Sequence, residues 1–242
     1  MATYVTSDIH GELKYFEKLL KMVDFKDTDT LYVLGDNIDR GPKPMETVQK
    51  IMHMKNAHCL LGNHEAMALD ALEYLDSEYE KEDVEKFDED LQKKTRRWLK
   101  NGSDVTIRAF RALDRERKDE IIDFWRGLKT YEEINVNGTD YVLVHAGLGN
   151  FSEDKGLNEY TQYELVWTRD PFDVSYYKDK VVVAGHTPTQ ELNDNPKPGS
   201  IFKKNNRIDV DCGSCYTGGR LAMLCLDTGE EFYYPKRPLL KP

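Results

Sequence analysis

Five short apolar runs, at residues 2–6, 30–34, 58–61, 141–144 and 181–184, each pass straight into a polar, glycine-containing loop. Runs of this length, rich in Val, Leu and Tyr and ended by turn residues, read as buried strands. Between the first two, Leu13, Phe16, Leu19, Leu20 and Val23 recur at helical spacing, and Met45, Val48, Ile51 and Met52 repeat the pattern before the third. The chain therefore opens βαβαβ, which places it in the α/β class.

Asn137-Gly138, between YEEINV and TDYVLV, is the strongest short-range hairpin signal, so the sheet is mixed. Residues 66–128 break the strand rhythm and read as helical throughout. They carry nine acids against two bases over 76–90 and then five bases over 93–100, as expected of a solvated helical insertion with sign-separated faces. Past residue 187, Pro196 and Pro198 mark a loop, and RIDVD, RLAMLCLD and EEFYYP read as antiparallel strands that close the chain. At 242 residues, with no repeat or linker, one domain over 1–242 is expected. Gly147-Leu148-Gly149 lacks the third glycine of a dinucleotide loop and follows a hairpin strand, so it is no cofactor fingerprint.

Acidic residues outnumber basic ones by 44 to 34, and a net charge of −10 argues against a dedicated nucleic-acid binder. The start MATYVTSDIHG has no basic n-region or apolar run, and no segment has the length and apolarity of a membrane span; a cytoplasmic protein is expected. Cys212 and Cys215 form a C-x-x-C pair. No second pair or neighbouring His completes a tetrahedral zinc set, so reduced bystander thiols are expected there.

The residues suited to chemistry lie just past the strand ends: Asp8 and His10 after the first, Asp36 after the second, Asn63 and His64 after the third, His145 after the fourth, His186 after the fifth. Functional loops of open α/β sheets sit at the carboxyl ends of strands, so five distant segments can converge on one crevice. Any one of these residues alone would be read as a helix cap or loop residue. Together, four of the six histidines occupy strand-end loops, while His53 and His58 do not. Two carboxylates, three imidazoles and an amide oxygen, with a fourth imidazole adjacent to the amide, are enough for two metal ions. Mixed nitrogen and oxygen ligation suits Mn, Fe or Zn better than Mg or Ca. A shared carboxylate would hold such ions about 3.5–4 Å apart, the separation used in two-metal phosphoryl chemistry.

The ordered blocks Ser7-Asp8-Ile9-His10-Gly11, Gly35-Asp36-Asn37-Ile38-Asp39-Arg40-Gly41, Gly62-Asn63-His64-Glu65, His145-Ala146-Gly147 and Gly185-His186-Thr187-Pro188 resemble those of the phosphoprotein phosphatase branch of calcineurin-like metallophosphoesterases. The resemblance implies a four-layer α/β/β/α sandwich with mixed sheets, interrupted by the helical insertion at about 66–128. It implies one metal on Asp8, His10 and Asp36, and a second on Asp36, Asn63, His145 and His186. It makes His64 the general acid, oriented by Asp39, and Arg40 and Arg169 the phosphate-gripping arginines. For Arg169, a plain surface ion pair with Asp170 or Asp173 stands as the alternative. Ser7 departs from the family's usual glycine. Trp98-Leu99-Lys100-Asn101-Gly102 and Tyr216-Thr217-Gly218-Gly219-Arg220-Leu221 resemble pieces that border the cleft in bacterial members.

The reaction so implied is hydrolysis of a phosphate ester by a metal-bridging hydroxide, with two divalent ions, Mn first and Fe or Zn as alternatives. The leading substrate is a protein carrying phosphoserine or phosphothreonine. The alternatives are symmetrical cleavage of a dinucleoside polyphosphate such as diadenosine tetraphosphate and, in another class, a catalytically silent binding scaffold. No nucleic-acid or membrane partner is expected, and oligomeric state is not legible.

Overall fold

The computed structural model describes residues 1–235. The first sheet is ordered β10-β9-β1-β2-β3. Its parallel half comprises β1 (Thr3–Thr6), β2 (Thr30–Val33) and β3 (Ala57–Cys59). β9 (Leu221–Cys225) and β10 (Glu231–Tyr234) add to it antiparallel. The second sheet is ordered β4-β5-β6-β8-β7. Here β4 (Tyr131–Val136) and β5 (Thr139–Val144) form the expected hairpin. Asn137 and Gly138 both take positive φ, as a two-residue hairpin turn requires. Strands β6 (Lys180–Ala184), β8 (Arg207–Asp209) and β7 (Phe202–Lys204) complete the sheet.

The closing strands correct the sequence reading in one respect. RIDVD does not join the other two in an antiparallel run; its β8 lies in the second sheet, parallel to β6 and antiparallel to β7. β7 is only three residues, with Lys203 exposed, so it gives no apolar run to find.

The sheets stack face to face through a shared core in which Val5, Leu34, Ala222 and Leu224 meet Leu143, Val183 and Val210. Helices α1 (Leu13–Met22) and α2 (Pro44–His53) cover the outer face of the first sheet, with Phe16, Leu19 and Ile51 packed on Leu31, Val33 and Met223. Proline opens α2, where the missing N–H costs nothing. The outer face of the second sheet carries the five-residue α8 (Gln162–Val166) and the loops around Leu148 and Tyr176. The result is the four-layer α/β/β/α order, with mixed sheets.

The stretch 66–128 contains most of α3 (Asn63–Asp70), then α4 (Leu72–Leu75), a 3₁₀ turn at Lys81–Lys86, α5 (Glu89–Lys100), α6 (Asp104–Arg111) and α7 (Arg115–Arg126). Asp88 and Asp114 cap α5 and α7 by accepting from Leu91 N and Arg117 N. These helices are more than a solvated appendage. Trp98, Phe110 and Trp125 are fully or almost fully buried in a core of their own that includes Met45, Val48 and Ile38. Among the described residues no helix is long and apolar enough to cross a membrane.

Candidate metal centre

The loops after β1, β2, β3, β5 and β6 meet at one end of the sheets. They are tied to one another through backbone: Asp8 N donates to Gly35 O (3.1 Å), His10 N to Asp36 O (2.9 Å) and Gly185 N to His145 O (2.7 Å). Glu65, absent from the sequence-derived set, is fully buried and accepts from the backbone N–H groups of Asp36, Asn37 and Gly62 at 2.9, 2.7 and 3.2 Å. Its signal was the capping position three residues after Gly62, at the start of α3. Gly62 and Gly185 are among the glycines here that have no room for a side chain. A Cβ on Gly62 would lie 2.2 Å from Asp36 Oδ1, and one on Gly185 2.3 Å from Asp8 Oδ2.

Asp36 is the hub. Its Oδ2 lies 3.7 Å from His10 Nε2 and 3.8 Å from His64 Nε2, and its Oδ1 lies 3.5 Å from His145 Nε2. Two ligand groups share it, His10/Asp36/His64 and Asp36/His145/His186, each with donor atoms within 4.8 Å of one another and every residue buried. Asn63 Oδ1 is 2.9 Å from His145 Nε2, and Asp8 Oδ1 is 3.8 Å from His10 Nε2. The fold thus gathers all six residues singled out as ligands. His64 sits closer to the first group than the sequence reading placed it, and Asp8 sits at its edge, because Asp8 Oδ2 is taken by Ser7 Oγ (2.6 Å) and His186 N (2.9 Å). The serine that departs from the family pattern therefore has a structural task.

The donor chemistry fits a cation. His10 Nδ1 faces Ile38 O, His145 Nδ1 faces Leu34 O and His64 Nδ1 faces the Asp39 carboxylate, so each carries its proton on Nδ1 and turns an Nε2 lone pair inward. Asn63 Oδ1 and His145 Nε2 are then two acceptors facing each other, and His186 Nε2 is buried without a hydrogen-bond partner among the described residues. Converging lone pairs with no proton between them are what a bound cation satisfies. Arg40 bridges the inward nitrogens of His10 (3.0 Å) and His64 (2.9 Å).

Burial is the largest influence on the titration of His10, His64, His186 and Asp36, and in each it disfavours the charged form. It holds His10 and His64 well below the usual imidazole range, helped for His10 by His64 and Arg40 and for His64 by Arg40 and His145. His186 is pushed down to about 2 by burial and then by His145 and Arg169. Burial, then Asp8 and Glu65, raise Asp36 well above the ordinary carboxyl value. Neutral imidazoles are the form that ligates, and positive charge at the centre would stabilise the Asp36 carboxylate.

Asp39 is fully buried and its Oδ2 accepts from both His64 Nδ1 (2.5 Å) and Trp98 Nε1 (2.8 Å). Burial raises it to about 7, while Thr106 and Trp98 hold it down. The ionised form of Asp39 is the better acceptor for both N–H groups, so the two bonds oppose the effect of burial on this carboxyl. Trp98 is the first residue of the segment expected to border the cleft. At that segment's end, Arg40 Nε donates to Asn101 O (3.4 Å). Tyr216, in the other such segment, accepts from Arg40 Nη1 at 3.3 Å. Ser214 Oγ donates to Asp8 O and so ties the same loop to the first ligand strand.

Arg169 is half-exposed and pairs with Glu191 (3.2 Å), not with Asp170 or Asp173. It lines a cleft of about 460 Å³ that also takes in Ala146 and Thr187, next to the ligand loops, and Asp170, Asp173, Asp194 and the buried Asp209. Cys212 and Cys215 are free thiols. Burial pushes Cys212 well up and Cys215 up to about 11, so neither is a thiolate at neutral pH. His53 bonds the Gln49 carbonyl within α2, and His58 stacks on Tyr32 at the sheet edge.

Comparison with known proteins agrees with this geometry. Residues 1–197 match the Calcineurin-like phosphoesterase family. Serine/threonine-protein phosphatase 2 of Escherichia coli is 30% identical over 171 residues, 69% of this chain and 67% of that protein. A symmetrical bis(5'-nucleosyl)-tetraphosphatase of Delftia acidovorans is 30% identical over 151 residues, 61% of this chain but 45% of that protein. A protein serine/threonine phosphatase of Saccharomyces cerevisiae shares the fold with a TM-score of 0.58 at 15% identity, over 98% of this chain and 81% of that one. With the family match running through every ligand loop, the chain belongs to the calcineurin-like phosphoesterase family and is a metal-dependent phosphoester hydrolase.

Proposed function

We propose that the protein is a two-metal phosphomonoesterase acting on phosphoserine or phosphothreonine in proteins. The observation that carries this reading is the hub position of Asp36, shared by two buried ligand groups, beside an imidazole–carboxylate pair that can serve a poorly leaving alkoxide. Asp8, His10 and Asp36 would hold one ion, and Asp36, Asn63, His145 and His186 the other. Manganese is the proposed metal, with iron or zinc as alternatives, since the set mixes imidazole and oxygen donors. When bound, the ions would polarise the phosphoryl oxygens and lower the proton affinity of a water between them.

The chain's own residues then have distinct tasks. Arg40 exchanges the two imidazole nitrogens it now bridges for phosphoryl oxygens, to which its planar fork is matched. Release of His64 Nε2 by Arg40, next to a dianionic phosphate, favours a proton on that nitrogen, which His64 gives to the leaving oxygen. Asp39 fixes the ring through Nδ1 and stabilises the imidazolium. Arg169, released from Glu191, supplies the second grip from the cleft.

A dinucleoside tetraphosphate is the second reading, favoured by the relative of Delftia acidovorans that is named for that activity. A silent scaffold is disfavoured because no ligand, acid or orienting carboxylate has been replaced. The cytoplasm is the proposed location. The test is a side-by-side assay of a phosphopeptide, a dinucleoside tetraphosphate and an aryl phosphate with added manganese. Turnover of the phosphopeptide is expected, and hydrolysis confined to the tetraphosphate would overturn the monoester reading.

A further inference from the structure

We infer that the exposed basic face of α5 is a docking surface for acidic residues flanking the phosphorylated residue of a protein substrate, with Arg97 as its cleft-side anchor. The inference rests on the phosphomonoesterase reading above.

In a chain of net charge −10, helix α5 carries Lys93, Arg96, Arg97 and Lys100, all exposed. At 3.6 residues per turn their spacing puts them within an arc of about 100°. Arg96 is paired with Glu85, and Lys94, on the next strip of the helix, with Asp90. Lys93, Arg97 and Lys100 have no acidic partner among the described residues. Three neighbouring cations left unpaired on an acidic protein form a local positive field that attracts anions.

The helix ends at the reaction centre. Trp98 donates to Asp39, Asn101 O accepts from Arg40, and Arg40 N donates to Gly102 O at 3.0 Å. Arg97 is held with its guanidinium 3.6 Å over the ring of Trp167, and that ring lies 6.1 Å from His186. Stacking uses the face of the guanidinium and leaves its N–H edge free to bind a carboxylate in a fork. No side-chain hydrogen bond of Arg97 occurs among the described residues.

His64 protonates the leaving oxygen and is oriented by Asp39, which is tied to Trp98 of α5. The remainder of the substrate is attached to that oxygen, and a chain leaving the centre past His186 and Trp167 reaches Arg97 at the edge of the basic face. The cleft that begins at Ala146 and Arg169 is lined by Asp170, Asp173, Glu191, Asp194 and Asp209 and repels an anionic segment, which leaves the basic face of α5 as the surface that attracts one. From Lys93 to Lys100 the stripe spans about 10 Å, the reach of about three extended residues. A peptide is favoured over a polyphosphate because the leaving phosphate of a polyphosphate is a weak base with little need of His64, whereas a seryl or threonyl alkoxide requires it.

The test compares manganese-loaded enzyme on phosphothreonine peptides that carry three Glu, or three Gln, on the N-terminal or the C-terminal side. Exposed pairs are individually weak, so the expected advantage of Glu on one side is about three- to tenfold in kcat/KM, expressed in KM. It should vanish in about 0.5 M salt and fall to near unity in Arg97→Gln and in the Lys93→Gln/Lys100→Gln double variant. The Glu/Gln ratio is read on one preparation, so a general loss of fold or metal cancels. A ratio near one in the unaltered protein, or one that survives both variants, overturns the inference. So does a loss in the variants that is confined to a dinucleoside tetraphosphate, which would assign the surface to polyphosphate. Hydrolysis of nitrophenyl phosphate with no turnover of any peptide would instead sink the protein-phosphatase reading, and this inference with it.

Discussion

Replacing Trp98 with Phe isolates what the helical segment contributes to chemistry, because it removes one N–H from Asp39 and leaves every other partner of the centre in place. Asp39 is raised to about 7 by burial even with the indole bond present. A hydrogen bond to a charged group contributes about 1.5–3 kcal/mol, which is about one to two pKa units. The sign is fixed: the bond favours the carboxylate, so its loss raises Asp39 further. Only ionised Asp39 accepts from His64 Nδ1 and supports the imidazolium. With half of Asp39 ionised near pH 7 in the parent, a shift of one to two units leaves about 10% to 1%, a loss of roughly five- to fiftyfold at that pH. Bound cations would lower the limb in both proteins and preserve the displacement between them. The assay is the pH profile of kcat/KM on an alkyl phosphate, run well below the melting temperature, because Trp98 is fully buried and its truncation also costs packing. The deficit should shrink to about twofold or less by pH 9. A Trp98→Phe profile that is lowered uniformly, with its acid limb unmoved, would refute the coupling of Trp98 to the acid through Asp39.

Four further outcomes are expected. His64→Asn should cut kcat on alkyl phosphates by about 10²–10⁴-fold and much less on a nitrophenyl ester, with metal content by elemental analysis unchanged; loss of metal would make His64 a ligand instead, as its closeness to His10 and Asp36 allows. Chelation should abolish activity and manganese restore it, with Asp36→Asn the most damaging ligand change because both groups share that residue; full turnover in metal-free protein would remove the central claim. Because Asp36 is raised well above the usual carboxyl range in the ion-free protein, cation binding should release its proton, and apparent affinity should rise up to about tenfold per pH unit below its pKa; calorimetry in buffers of different ionisation enthalpy that finds no proton released would contradict this. Ser7→Ala should weaken manganese binding by about tenfold, as losses around ligands commonly do, with the secondary-structure signal unchanged; unaltered affinity would show that the bond to Asp8 Oδ2 is incidental.

The strand-end pattern was legible because it is written twice, once in apolar runs that must be buried and once in ligand residues with no other reason to cluster. β1, β2, β5 and β6 fall on or within a residue or two of the runs read as strands, and each is followed by its expected ligand loop. β7 was invisible because a three-residue edge strand with exposed lysine has no period. The supporting residues were hidden for a different reason. Trp98, Thr106 and Glu65 act on Asp39, Asp36 and Asn37 from 28 to 67 positions away in sequence, and a tryptophan that donates to a buried carboxylate looks in sequence like one that only fills a core. Charge segregation over 76–100 was legible, but its meaning was not: only the fold shows that the basic half ends beside Arg40.

The backbone of the centre explains why these motifs tolerate so little change. Asp8, His10, Asp36, Asp39, Arg40 and His186 all hold positive φ, between 47° and 69°. Left-handed conformations at residues with side chains cost about 1–3 kcal/mol each, and Asp bears them more readily than most. Six in one crevice constitute a strain that unfolding would relieve, and it is opposed by the cross-loop hydrogen bonds of Asp8, His10 and Gly185 and by the carboxylate of Glu65. An extended strand would also put Asp8 and His10, two positions apart, on one face, but about 6.6 Å apart along it; the positive φ at both residues bends the chain away from that extended course just past β1. Ile9, between them, is fully buried, packed with Phe16 and Leu31. The same kink therefore seats an apolar anchor and presents two ligands, which ties the ligand geometry to the packing of the first helix layer.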